Sequence, residues 1–170
     1  EHSQIACTGI CLVTRGGSDS VQSVGMETRY FQSCIDWDAT NINEMWSFPA
    51  DKSPTMIVIN LGSNDINKTD ITADAFKNSY ITFMENLRLK HPNTRIFAMI
   101  PVRGYYKDEI ITAVAARKLA GDPKVEYIDT TGWVQTSNPD HFAPPDLSHP
   151  NVSGQAVIAA KLAEVLGAYR

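Results

Sequence analysis

"TMIVINLGSND", residues 55–65, decides the fold of this 170-residue chain. Met56–Ile59 is an unbroken apolar run, and Ile57, Val58 and Ile59 are β-branched, a shape that suits a pleated surface better than a helix. Apolar and polar positions do not alternate. Such a run reads as a strand buried on both faces, the usual condition of a parallel sheet. It ends in Gly62-Ser63-Asn64-Asp65, residues that favour turns. Polar, chemistry-bearing side chains therefore follow directly on a buried strand.

The neighbouring segments extend the pattern. Thr72 or Asp70 can cap a helix over 73–90, whose stripe Phe76, Tyr80, Phe83, Met84 and Leu87 faces one way. His91-Pro92-Asn93 stops it. "RIFAMIPV" (95–102) reads as a second buried strand, ended by Arg103-Gly104. Asp108 can cap a helix over 109–120 that stops at Gly121-Asp122-Pro123. "KVEYIDT" (124–130) is a third strand, and residues 151–170 form a closing amphipathic helix. Strands alternating with such helices predict βαβ crossovers and a three-layer α/β sandwich with a mainly parallel sheet. Towards the N-terminus, "IACTGICLVT" (5–14) reads as a short strand broken by Gly9, followed by the loop "RGGSDS" (15–20). Residues 21–54 hold Tyr30, Phe31, Trp37, Trp46 and Phe48 with weak periodicity, so irregular structure with short helical turns is expected.

Composition narrows the function. The chain is 43% apolar and 20% charged with net charge −4, enough for one domain over 1–170 with a single core. No Lys/Arg run stands out, which argues against nucleic acid and anionic membrane as partners. The apolar runs are too short to span a bilayer. Cys7, Cys11 and Cys34 fit neither a zinc site nor a redox motif, and one disulfide with one thiol left over is expected. No metal is implied. The sequons at Asn67 and Asn151 favour a secreted, N-glycosylated protein. Glu1 rather than Met at the start suits a processed or trimmed chain.

Two loops carry chemistry. In "PPDLSHPN" (144–151), Asp146 stands three residues before His149, in a segment stiffened by Pro144, Pro145 and Pro150. A carboxylate at the second ring nitrogen fixes an imidazole's tautomer and stabilises its protonated form, as a general base requires. The plainer alternative is a capped turn beside a surface histidine. Asn64 could donate its amide to an oxyanion, or close an Asx-turn with Asp65. Gly9 could offer an unobstructed N–H to the same oxyanion, or serve a turn needing positive φ. In open α/β sheets ligands sit beyond the carboxyl ends of the strands, where both loops fall.

Order and spacing together resemble the SGNH, or GDSL-type, hydrolases, and within them the secreted carbohydrate esterases that deacetylate plant polysaccharides. "ACTGICL" (6–12) is similar to that family's second block, "VINLGSND" (58–65) to its third, and "DLSHPNVSGQAVIAAKLAEVL" (146–166) to its fifth. The resemblance implies a flavodoxin-like sandwich, Asp146 and His149 as acid and base, Asn64 and Gly9 in the oxyanion hole, and no cofactor. It implies acetylated carbohydrate as substrate.

The family's first block, Gly-Asp-Ser after the first strand, does not occur in the chain, and only Glu1–Gln4 precede the second-block match. The expectation is that an upstream segment, missing, cleaved or present as a second fragment, carries the first strand and the nucleophilic serine. Within the chain, Ser18 of "RGGSDS" nearly matches the G-x-S-x-G elbow, although a Gly/Ser loop is the commoner use of such residues. Cys7 and Cys11 are further candidates, better suited to a disulfide. The alternative function is a non-catalytic, carbohydrate-binding or repurposed protein that has lost its nucleophile.

Overall fold

The structure is a computed structural model that describes residues 3–15, 24–33 and 44–169. Its centre is a parallel three-stranded sheet in the order β1-β2-β3, with β1 Met56–Ile59, β2 Arg95–Met99 and β3 Val125–Ile128. Met56 pairs with Arg95 and Ile96 with Val125, so the three strands run in step and finish at one edge. The α/β sandwich expected from the sequence is present. Strands β2 and β3 are shorter than the segments 95–102 and 124–130 that announced them, because the chain turns away at Ile100–Val102 and Asp129–Thr130.

Helix α1 is Met26–Arg29, α2 Ala73–Lys90, α3 Lys107–Leu119 and α4 Val152–Gly167. One sheet face, with Ile59, Ile96, Ala98 and Val125, packs on α2 and α3. The whole predicted α2 stripe of Phe76, Tyr80, Phe83, Met84 and Leu87 lies in that core. The opposite face, with Phe97, Met99 and Ile128, meets Ile158, Leu162, Val165 and Leu166 of α4. Successive strand residues thus feed two cores, as the pleat requires. Among the described residues no strand pairs with the other edge of β1.

Thr72, not Asp70, caps α2, its hydroxyl accepting from the Ala75 N–H at 3.1 Å; Asp70 instead pairs with Arg15. Asp108 does not cap α3. Tyr106 takes the capping position in a left-handed conformation, φ 53°, and no side chain closes the helix end. Asp108 sits inside the first turn, where its charge still complements the helix dipole.

Residues 5–14 do not form a strand. The Ile10 N–H bonds back to the Cys7 carbonyl, closing a turn with Gly9 at φ +74°, and the following amides find side chains rather than a neighbouring strand. The described part of 21–54 is irregular, as expected, with α1 and a 3-10 turn at Ala50–Lys52. Cys7 and Cys11 carry free thiols, so the expected disulfide does not join them; Cys34, Trp37 and Ser18 lie outside the described residues.

Candidate active site

The loop after β1 is built by two adjacent side chains that reach far along the sequence. Asp65 is fully buried, and both its oxygens accept from the Leu12 N–H at 3.0 Å. The first also accepts from the Val13 N–H at 3.1 Å. Asn64 donates its amide to the Ile10 carbonyl at 2.9 Å. Neither residue closes the local Asx-turn that was its alternative reading; together they clamp segment 10–13. From the other side, the Met26 N–H donates to the Cys11 carbonyl and the Glu27 N–H to that of Leu12. Gly25 permits this approach, since a Cβ there would lie 2.3 Å from the Leu12 oxygen.

The result brings the two oxyanion candidates together: Asn64 is bonded to the residue that follows Gly9. Gly9 is exposed in its turn, so the turn role and an open N–H are compatible. Nothing near Asp65 in the sequence distinguishes a clamp from a turn-former, so its long-range role appears only in the fold. Burial pushes its carboxyl above the usual range, against the pull of the Leu12 and Val13 amides. Burial first, and then the Asp65 charge, push the Cys11 thiol up as well, which disfavours the thiolate a nucleophile needs.

Asp146 and His149 also meet. His149 Nδ1 lies 2.7 Å from Asp146 Oδ2, while Asp146 Oδ1 accepts from the Ser148 and His149 amides at 2.7 and 3.2 Å. One carboxylate thus folds its own loop and orients the ring. The hydrogen bond to His149, then the Ser148 amide, hold its pKa below the usual carboxylate range. His149 Nε2 makes no hydrogen bond among the described residues, so the ring is oriented at one nitrogen and open at the other. The side chains are 81% and 55% exposed, so water screens the pair.

The loops after β2 and β3 complete this edge. Arg103 donates to the Leu147 carbonyl at 3.4 Å, tying the post-β2 turn to the Asp146 loop. After β3, Asp129 accepts from Thr131 and from Lys107 Nζ; the Thr131 contact first, and then Lys107, lower its pKa to about 2. Its oxygens are already engaged, which marks it as structural.

The remaining predicted residues have plainer places. Asn67 is exposed in the 3-10 turn Asp65–Asn67. Asn151 caps α4, accepting from the Gly154 N–H at 2.9 Å and donating to the Pro139 carbonyl at 3.0 Å. Of the aromatics in 21–54, which carry no predicted site role, Trp46 packs edge-on against Phe48, in a group that reaches His91 at the opposite end of the sheet.

The sequence profile described as the GDSL-like lipase/acylhydrolase family matches residues 15–157. No curated protein matches the chain. Among solved structures, the chain is similar to a family two carbohydrate esterase from Clostridium thermocellum in complex with cellohexaose. The TM-score is 0.65 and identity 21%, covering 94% of this chain and 48% of that one. An acetyl xylan esterase from the rumen bacterium Butyrivibrio proteoclasticus matches at TM-score 0.56 and 22% identity, covering 85% and 46%. A family 2 carbohydrate esterase with a carbohydrate binding domain from Corynascus thermopiles (Myceliophthora fergusii) gives 0.58 and 22%, covering 94% and 50%. The chain spans about half the length of these proteins, and the likeness establishes the fold.

Proposed function

Because the chain belongs to the GDSL-like lipase/acylhydrolase family, we propose that it serves a serine esterase that removes acetyl groups from acetylated plant polysaccharide or oligosaccharide. The observation that carries this reading is the 2.7 Å contact between Asp146 and His149, with Nε2 left open. A serine hydroxyl, contributed by a segment outside these residues, attacks the acetyl carbonyl and gives its proton to His149 Nε2. Asp146 stabilises the imidazolium. The oxyanion of the tetrahedral intermediate accepts from the Gly9 N–H and the Asn64 amide. Collapse expels the sugar alkoxide, which takes the proton back from His149. Water, deprotonated by the same ring, then releases acetate and restores the serine. The carbohydrate chemistry of the fold neighbours supports the substrate class, and the two sequons support an extracellular setting.

The test is hydrolysis of an aryl acetate and of acetylated xylan by the full-length protein, followed by labelling with a serine-directed phosphonate and mass mapping. Hydrolysis abolished by His149→Ala, with one labelled serine upstream of the Gly9 turn, is expected. A label on Ser18 would move the nucleophile into this chain. An intact protein that binds oligosaccharide, hydrolyses neither ester and takes no label would refute the esterase and leave a carbohydrate-binding protein.

A further inference from the structure

Beside the Asp146 loop lies an open groove of about 410 Å3. Half-buried Val102 contributes apolar surface, backed by buried Val134 and Phe142, and Arg103, Gln135, Thr136 and Ser137 contribute polar groups. The polar set holds one amide, two hydroxyls and a guanidinium, groups that pair with the hydroxyls of a sugar ring while apolar surface meets its C–H face. No acidic residue lines the groove. Arg103 is exposed; its recorded contacts are the long bond to the Leu147 carbonyl and the Tyr105 ring 5.5 Å away. It forms no ion pair among the described residues, unlike Arg88, whose guanidinium is bidentate to Asp122.

An exposed guanidinium that has no carboxylate partner among the described residues, set among sugar-type hydrogen-bonding groups, favours a carboxylate in the ligand. The chain's net charge of −4 repels anions in general, so any preference for an acidic ligand has to come from this local group. We propose that the groove is a binding subsite for an acidic saccharide, with the uronate carboxylate on Arg103 and ring hydroxyls on Gln135, Thr136 and Ser137. Arg103 also holds the Leu147 carbonyl, one residue from Asp146, so the subsite adjoins the proposed catalytic pair. The inference rests on the esterase reading only in treating the groove as part of a substrate site.

Binding, not hydrolysis, tests it. Trigalacturonate and the neutral trisaccharide xylotriose, neither of them acetylated, are titrated calorimetrically into the full-length protein carrying His149→Ala. The acidic trisaccharide is expected to bind about two- to fivefold tighter at low salt, the scale of one solvent-exposed ion pair. Arg103→Gln is expected to remove that preference while leaving the xylotriose affinity within about twofold. Equal affinities for the two ligands, or a preference that survives Arg103→Gln, would overturn the assignment. Loss of esterase activity in the parent protein would instead sink the hydrolytic reading and leave these affinities to be judged separately.

Discussion

Replacing Asp65 by Ala removes the acceptor of two backbone donors, Leu12 N–H and Val13 N–H, and Leu12 is itself fully buried. A buried donor left without its acceptor costs about 1–3 kcal/mol, so two cost roughly 2–6. Part of this is offset, because burial already opposes ionisation of Asp65 and the variant no longer buries a carboxylate. The expected net loss is about 2–4 kcal/mol, a large share of the roughly 5–15 kcal/mol that holds a domain together. Asp65→Asn keeps one acceptor oxygen but turns an N–H towards the amides, and should fall about midway. Urea unfolding at pH 7 measures both, with unchanged m-values as the sign that the native fold is retained. Amide hydrogen exchange adds residue resolution: Leu12 and Val13 should lose protection in Asp65→Ala while the β2 amides keep theirs. A variant within about 0.5 kcal/mol of the parent, or one whose Leu12 and Val13 amides remain protected, would refute the clamp. The carboxyl also has a pH signature. Its folded pKa is raised, so between its ordinary value and that raised value the folded chain binds more protons than the unfolded one. Stability therefore falls as pH rises through that window, and the slope should vanish in Asp65→Ala.

Two further outcomes follow from other groups. Buried His91 accepts or donates at both ring nitrogens, to Tyr30 Oη at 3.0 Å and Ser53 Oγ at 2.8 Å, and burial, then Arg88, lowers its pKa. With the folded value depressed, the unfolded state binds the extra proton, so stability is full above about 6.5 and declines as pH falls towards the folded value. The difference in unfolding free energy between pH 7.5 and 5.5 should shrink in His91→Gln, and an undiminished difference would exclude this histidine as its source. Asp146→Asn should lower kcat on an aryl acetate by only about ten- to thirtyfold, against roughly 10⁴ where an Asn holds a buried ring in the wrong tautomer, because this exposed ring is free to reorient in water. A loss near 10⁴ in steady-state kinetics would mean that the working site desolvates the pair.

Much of the architecture is local in origin and was legible in the sequence. The β-branched run at 56–59, the stripe from Phe76 to Leu87 and the hydroxyl of Thr72 each act within one element, where spacing fixes geometry. The Asp146–His149 contact is equally local, three residues closed by one carboxylate. The misplaced features depended on partners elsewhere. Asp108 looked like a cap, but the turn leaving β2 delivered Tyr106 to that position. Segment 5–14 has strand composition, yet its amides go to Asp65, more than fifty residues away. Asn64 and Asp65 looked like turn-formers because their distant acceptor and donors had no signal near them. Ring partners for His91 and the approach of Arg103 to the Asp146 loop were hidden for the same reason. By itself the sequence determined the three sheet strands and the long helices α2 to α4, and marked the polar loops at 62–65 and 146–149 beyond them. Tertiary structure alone decided what those loops touch, because a side chain 53 or 54 residues from its backbone partner meets it only after parallel strands have brought their carboxyl ends to one edge.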